Sequence, residues 1–362
     1  MLSSSPYLGG SRCGRILQSR YSYPELPGGK TWTAASPFPQ PGEALTAVSP
    51  FADGRKALLY LLLAVACSTV IALIFKVSES RDMNRYVITA ANYLVASVVS
   101  LTFIVLGGVL EVPLSEVPGA FLREAGSALA GEGFSPRGSI AWGVVVGVPS
   151  GVLYYLGFVY LQKGVRQSGV SLAGSFAKLG VLVPMVLSIA LWHEIPSAVQ
   201  WVGIVLALAS ILLANVDPRS ANVLSGFRPV LILLLLFVGT SEFTNKVYQN
   251  YGIQEMKSVY LFFVFFVALL VSGVKVARMG LRPMPRHVVT GLAVGVPNYF
   301  ASFFLILALS RLKTSVVFPV YSAATIVLIT IAGAAVFGER LRPRERLAVV
   351  LTVVAVVLVN LR

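Results

Sequence analysis

Three charged side chains lie inside otherwise apolar stretches of this sequence and are the residues best placed to do chemistry. Lys178 stands ten residues inside a block that begins near Ser168, while Glu242 and Lys246 lie four residues apart in a later block. A charge at the centre of a bilayer costs at least about 2.5 to 3.5 kcal/mol, so these side chains should face a bundle interior or a wet cavity. Lys178 is predicted to bind an anionic substrate group or to act as a proton-linked switch. A lysine paired with a carbonyl or carboxylate, or one that snorkels, is the alternative.

The spacing of Glu242 and Lys246 places them on one helical face and predicts an internal ion pair. Lys76 and Lys246 each close an apolar segment, and their stems are long enough to reach lipid headgroups, so snorkelling competes with a functional role. We treat Glu242, Lys246 and Lys76 as candidates for ion pairing or ion coupling. The two cysteines match no metal spacing, and no metal site or cofactor is predicted.

The motif GVP occurs twice, ending at Pro149 and Pro297, and proline removes a helical amide hydrogen bond. Both prolines therefore predict bent helices, and helices bent near the membrane midplane commonly border ligand sites. Gly143, Gly147 and Gly151 also fit a small-residue packing stripe, which is the favoured interpretation for the glycines. Polar side chains that can stack on or hydrogen-bond a ligand complete the predicted substrate-binding set: Lys178, Tyr154, Tyr155, Asn298, Tyr299, Asn92, Tyr321 and Ser322.

The composition indicates which elements hold these residues. Hydrophobic residues make up 56% of the chain, charged residues 12%, and the mean hydropathy is +0.80. A helix needs roughly 20 apolar residues to cross a hydrocarbon core, so the pattern predicts an all-α integral membrane protein. Ten apolar blocks predict ten transmembrane helices, at 57–76, 86–109, 139–161, 168–192, 198–215, 229–248, 258–277, 287–309, 314–337 and 346–361.

Two stretches 145 residues apart repeat one pattern, LWHEIPSAVQWVGIVLALASILLAN at 191–215 and VFGERLRPRERLAVVLTVVAVVLVN at 336–360. We predict two five-helix repeats, at 55–216 and 226–362, and a flexible tail at 1–52. Because each half has an odd number of spans, the halves should be inverted relative to each other. Glu194 and Glu339 recur at the same place in the two stretches, and each is predicted to cap the helix that follows it.

This layout resembles the ten-helix, EamA-type members of the drug/metabolite transporter superfamily. The resemblance rests on the five-plus-five arrangement, the glutamate between the last two segments of each half, and the lysine that closes each half's first helix. It covers about residues 55–361 and implies a secondary transporter that works by alternating access. His193, where the second half has Gly338, and the basic run ERLRPRERL depart from the usual pattern and leave the substrate open.

The predicted function is therefore gradient-driven movement of a small organic metabolite or drug, such as an amino acid, with a mild preference for an anionic group. No Walker sequence occurs, so ATP hydrolysis by this chain is not expected. A membrane scaffold or sensor is the alternative, and an intramembrane lipid-modifying enzyme is a weaker one, so we predict no enzyme activity. The expected location is the cell membrane as a multi-pass protein, and a homodimer is possible.

The charge distribution bears on a nucleic-acid partner and on the orientation in the membrane. The formal net charge of +14 comes mostly from loops between apolar blocks, which is typical of membrane proteins, so no nucleic-acid partner is expected. Near the segment ends, 14 Lys and Arg residues lie on the side of the odd-numbered loops and eight on the other, or 12 with the tail included. The orientation in the membrane is left open.

Overall fold

The computed structural model describes residues 50–81, 83–168, 170–215, 229–337 and 343–360. Within these ranges the chain forms α-helices joined by short turns, with three 3₁₀ helices and one π-helix, and no strand. The tail predicted at 1–52 lies outside the described residues except for its last three positions, which begin the first helix. The α-helices are α1 Pro50–Ser80, α2 Arg85–Leu106, α3 Val117–Ser127, α4 Pro136–Ser168, α5 Val170–Leu179, α6 Leu182–Trp192, α7 Ala198–Asn215, α8 Pro229–Tyr251, α9 Lys257–Arg278, α10 Pro285–Leu309, α11 Thr314–Phe337 and α12 Pro343–Asn360.

Seven of these helices are long and apolar enough to cross a membrane, namely α1, α2, α4, α8, α9, α10 and α11. Two shorter apolar helical stretches lie at Phe176–Trp192 and Ala198–Leu213. Many large hydrophobic side chains on these helices remain exposed, including Leu106, Val205 and Val289. Long apolar helices with apolar outer faces suit lipid and not water, so this is a multi-pass helical membrane protein.

The fourth apolar block is divided near its middle. We predicted one continuous segment at 168–192, whereas α5 ends at Leu179 and α6 begins at Leu182. At this break the chain approaches α8 so closely that a Cβ atom on Gly239 would lie 2.3 Å from the Gly180 carbonyl oxygen. The contact therefore requires glycine at position 239. It places Lys178, in the last turn of α5, beside the break.

Helix packing brings distant parts of the sequence together. The helix α4 packs against α8 and α9, while α10 packs against α1 and α2; α2 also contacts α9, and α7 contacts α12. A Cβ atom on Gly147 would lie 2.9 Å from the Tyr260 carbonyl oxygen, and one on Gly295 would lie 2.7 Å from that of Asn92. These glycines let α4 approach α9 and α10 approach α2, as the packing interpretation predicted.

The two GVP prolines lie within unbroken helices. Pro149 lies inside α4 and Pro297 inside α10, and both helices continue as α-helix beyond the proline. The chain between α5 and α6 is interrupted instead, at Gly180 and Val181. The GVP motifs thus mark close helix packing, and the break in the helical chain lies elsewhere.

Candidate functional site

Glu242, on α8, lies at the centre of a cluster of polar side chains inside the helix bundle. Asn245, one turn further along α8, donates its Nδ2 proton to Glu242 Oε2 at 3.3 Å and to the Tyr154 hydroxyl at 3.3 Å. The Glu242 carboxylate also interacts electrostatically with Lys178 on α5 and with Tyr321 on α11. Three further helices, α4, α5 and α11, therefore place polar groups around a carboxylate on α8.

A network of hydroxyl groups is hydrogen-bonded to this cluster through Asn245. The Tyr260 hydroxyl, on α9, donates to Asn245 Oδ1 at 3.2 Å and lies 3.0 Å from the Thr244 hydroxyl and 3.3 Å from that of Ser150. Tyr260 is fully buried and stacks on Tyr248 with ring centroids 4.8 Å apart. Because buried polar groups that lose a partner are costly, this network holds Asn245 in one orientation.

Burial divides the cluster into two layers. Asn245, Tyr260 and Ser150 are fully buried, with no exposed surface. Lys178, Glu242, Tyr154 and Tyr321 are only half-buried although they lie among the packed helices. A half-buried charge inside a membrane bundle is expected to face the bundle interior or a wet cavity, and the fully buried layer hydrogen-bonds to the groups beside it.

A second polar pair joins α10 to α2. Asn298 Nδ2 donates to Asn92 Oδ1 at 3.1 Å, so two of the predicted binding residues are hydrogen-bonded to each other. Asn298 directly follows Pro297, as Ser150 follows Pro149. The two GVP motifs therefore each precede a polar side chain that bonds to the helix packed against it, Tyr260 on α9 or Asn92 on α2.

The remaining predicted binding residues have other neighbours. Tyr299 is buried, hydrogen-bonds Ser258 at 3.1 Å and stacks on Phe103, and Tyr155 is buried with Tyr86 and Tyr93 as its electrostatic neighbours. Ser322 is also buried. Among the predicted tyrosines, the structure thus brings Tyr154 and Tyr321 to Glu242, and Tyr321 also hydrogen-bonds Ser68 on α1.

The predicted ion pair between Glu242 and Lys246 is wrong. Lys246 Nζ lies 2.7 Å from Glu194 Oε1, in the loop between α6 and α7, and it donates to Gln249 Oε1 at 3.0 Å. Spacing along α8 does place Glu242 and Lys246 one turn apart, but each has a different charged neighbour on another part of the chain. Lys246 pairs with the carboxylate of Glu194 in a loop, whereas Glu242 has the ammonium of Lys178 on α5 as an electrostatic neighbour.

Glu194 caps a helix, but not the one that follows it. Its Oε2 accepts the backbone N–H of Thr314, the first residue of α11, at 2.6 Å, and its carbonyl oxygen accepts from Ser315 Oγ at 2.9 Å. Lys313 Nζ donates to the Ile195 carbonyl oxygen at 2.8 Å. The loop between α6 and α7 is thereby tied to α8 and α11, which sequence proximity cannot indicate. Its predicted counterpart, Glu339, lies outside the described residues.

One further candidate, Lys76, lies on α1. Lys76 is half-buried near the end of α1. Among the described residues, no group of three or more His, Cys, Asp or Glu side chains is arranged to hold a metal ion.

The residues that sequence reasoning missed are the supporting ones, Ser150, Thr244, Asn245 and Tyr260. Only Asn245 carried a signal, as a polar residue one turn from Glu242.

The bundle of apolar helices around a buried polar cluster defines a multi-pass helical membrane protein, and comparison with known proteins adds a family. The model of the EamA-like transporter family matches residues 55–216. The predicted resemblance to this family, and through it to the drug/metabolite transporter superfamily, is confirmed.

Two further similarities extend over most of the chain. An uncharacterized protein of Haemophilus influenzae is 23% identical over 298 residues, which cover 82% of this chain and 95% of that protein. A solved crystal structure whose description names no activity has a TM-score of 0.58 and 16% identity, covering 83% of this chain and 95% of that one. At this level of identity the crystal structure supports the fold alone.

Proposed function

We propose that this protein is a secondary transporter that carries a small organic solute by alternating access, with the substrate site between Lys178 and Glu242. The observation that carries the proposal is that Lys178 and Glu242, one ammonium and one carboxylate, are half-buried among the packed helices and are electrostatic neighbours. Charged groups at this depth are costly, so a functional role is the default interpretation. Helices from both predicted halves contribute to the site.

Packing supports the proposal that the halves are inverted repeats. We take α1, α2, α4, the pair α5–α6, and α7 as the first five spans and α8 to α12 as the second five. In this pairing α1 corresponds to α8, α2 to α9 and α4 to α10. Corresponding helices make matching contacts: α4 packs against α8 and α9, and α10 packs against α1 and α2. The contacts α2–α9 and α7–α12 each join a helix to its own counterpart. A two-fold axis in the membrane plane produces this pattern.

The charged pair departs from that symmetry. When Lys246 is aligned with Lys76, Glu242 aligns with Ala72, and the counterpart of Lys178 lies near Ala323. The packing of two similar halves therefore does not require either charge. A costly pair that symmetry does not require supports a role in binding or coupling.

The contacts of the lysines refine the substrate class. Lys246 is neutralised by Glu194, so the excess of intramembrane lysines that favoured an anion in the sequence is reduced. The site itself offers one positive and one negative group. We therefore propose a zwitterionic solute of the amino-acid class, whose carboxylate contacts Lys178 and whose ammonium group contacts Glu242. The driving force is a gradient, with Glu242 as the group available for a coupled proton.

Uptake into proteoliposomes tests this function. Reconstituted protein should accumulate amino acids from a labelled mixture, and Lys178→Met and Glu242→Gln should each reduce the initial rate by more than about tenfold, the loss of one charge-assisted hydrogen bond. Lys163→Met is the matched control, because Lys163 is exposed on α4 and its ammonium lies 4.7 Å from the Tyr160 ring. Unchanged uptake in both site variants, or no uptake of any class of solute by the wild type, would favour the scaffold or sensor alternative.

A further inference from the structure

An open polar pocket, called the cavity below, lies where α2 begins and α4 ends. It has a volume of about 220 Å³ and is lined by Arg85, Gln162, Val165 and Arg166. A water molecule occupies about 30 Å³ in the liquid, so the space accommodates a group much larger than one water. Three of the four lining side chains carry N–H donors, and two of these are guanidinium groups.

The Gln162 side chain is the observation that indicates a ligand. Gln162 is only 7% exposed, lines the cavity, and its Nε2 atom is buried without a hydrogen-bond partner. An unsatisfied buried donor costs about 1 to 3 kcal/mol, so a native protein usually supplies an acceptor. The acceptor has to be compatible with the two arginines beside it, which select a negatively charged oxygen group.

We propose that this cavity binds a phosphate group at the membrane surface, held by Arg85, Gln162 and Arg166. Arginine forks match the oxygens of phosphate, and the amide of Gln162 supplies a neutral donor deeper in the cavity. The N-terminus of α2 contributes no free N–H groups at Tyr86 and Val87, because the Asn84 side chain already accepts from both. Both helices end here, at the level where phospholipid headgroups lie, and basic cavities between transmembrane helices are suited to anionic headgroups.

Thermal unfolding of the full chain in neutral detergent tests this site. Phosphatidylglycerol added to the micelles should raise the unfolding temperature in a saturable way, and phosphatidylcholine should raise it less. Gln162→Met keeps the length of the side chain, and Arg166→Gln removes one guanidinium group. Each variant should bind the lipid more weakly and raise the half-saturating lipid concentration by roughly tenfold. Lys163→Gln is the control, because this neighbouring lysine is exposed and does not line the cavity.

A third ligand distinguishes the source of the phosphate. Saturation by inorganic phosphate, lost in Gln162→Met, would assign the site to soluble phosphate compounds, and saturation by phosphatidylglycerol alone would assign it to lipid. Equal effects of phosphatidylglycerol on the wild type, Gln162→Met and Arg166→Gln would overturn the proposal, as would the absence of any saturable effect. The transport experiment is independent of these outcomes, because its variants lie in the central cluster.

Discussion

Lys246 and Glu194 form an ion pair, with Nζ 2.7 Å from Oε1, although the sequence places Glu242 one helical turn from the same lysine. The side chains are 5% and 17% exposed, respectively. The same carboxylate accepts the backbone N–H of Thr314, so one side chain joins the loop after α6 to both α8 and α11.

Loss of the Glu194 charge should destabilise the protein strongly. Glu194→Gln leaves the nearly buried Lys246 ammonium without its carboxylate partner, and Gln249 and the Trp192 ring remain as neutral neighbours. Removing one member of a buried pair costs about 3 to 5 kcal/mol, so we expect the unfolding temperature in detergent to fall by roughly 5 °C or more.

A surface ion pair provides the control for this change. Arg137 and Glu116 lie 2.7 Å apart, but their side chains are 49% and 51% exposed. Solvent screens such pairs to about 1 kcal/mol or less, so Glu116→Gln should shift the unfolding temperature by less than about 2 °C. Equal shifts in the two variants would contradict the assigned role of Glu194.

Gly151, on α4, should not tolerate an added methyl group. A Cβ atom on Gly151 would lie 2.5 Å from the Val264 carbonyl oxygen and 2.8 Å from the Val267 Cβ atom. Gly151→Ala must push α4 away from α9, and overpacking typically costs about 1 to 3 kcal/mol. Gly273→Ala, on α9, has no atom within 4 Å of the new Cβ and should be neutral or stabilising. Comparison of the two unfolding temperatures checks the packing, and a Gly151→Ala variant as stable as the wild type would refute it.

The Tyr260 hydroxyl should matter more than that of Tyr299. Tyr260→Phe removes the group that connects Ser150, Thr244 and Asn245, whereas Tyr299→Phe removes a single bond to Ser258. We expect Tyr260→Phe to raise the KM for uptake several-fold, because Asn245 no longer has a fixed orientation beside Glu242. Tyr299→Phe should leave KM within about twofold of the wild type. If both variants transport with the wild-type KM, the buried network does not position the site.

The ten-span arrangement predicts which loops share a side of the membrane. Ser197 lies in the exposed loop between α6 and α7, and Arg282 in the exposed loop between α9 and α10. In a chain without its two cysteines, Ser197→Cys and Arg282→Cys should react with an impermeant maleimide from opposite sides. Reaction of both from one side would exclude the arrangement. The side on which Arg282→Cys reacts also decides the orientation, which the loop charges leave open.

The helices could be predicted closely from the sequence, because hydrophobic length is a local property. The blocks 198–215 and 314–337 coincide with α7 and α11, and the other ends differ by a few residues, with α1 extending furthest beyond its block. The break after α5 was missed, although Gly180 and Pro184 lie beside it; it coincides with the close approach of Gly239 on α8. A contact between residues 59 positions apart leaves no trace in local hydropathy.

The candidate site could be predicted only in part, for the same reason. Lys178 and Glu242 are visible in the sequence because charge is rare in apolar segments, and Tyr154 and Tyr321 were chosen for their polarity. The partners of each charge depend on how α5, α6 and α8 meet, so Lys246 was assigned the carboxylate nearest in sequence and not the one nearest in space. Tyr260 gave no signal, because a tyrosine in an aromatic segment is usually a packing residue.

The most direct test is ligand-dependent thermal stabilisation of the purified protein, measured with zwitterionic, anionic and cationic metabolites. The account predicts saturable stabilisation by zwitterionic amino acids, lost in Lys178→Ala and in Glu242→Gln but retained in Lys163→Ala. Stabilisation by cations alone, or amino-acid binding that is unchanged in Lys178→Ala, would contradict the assignment of the substrate site.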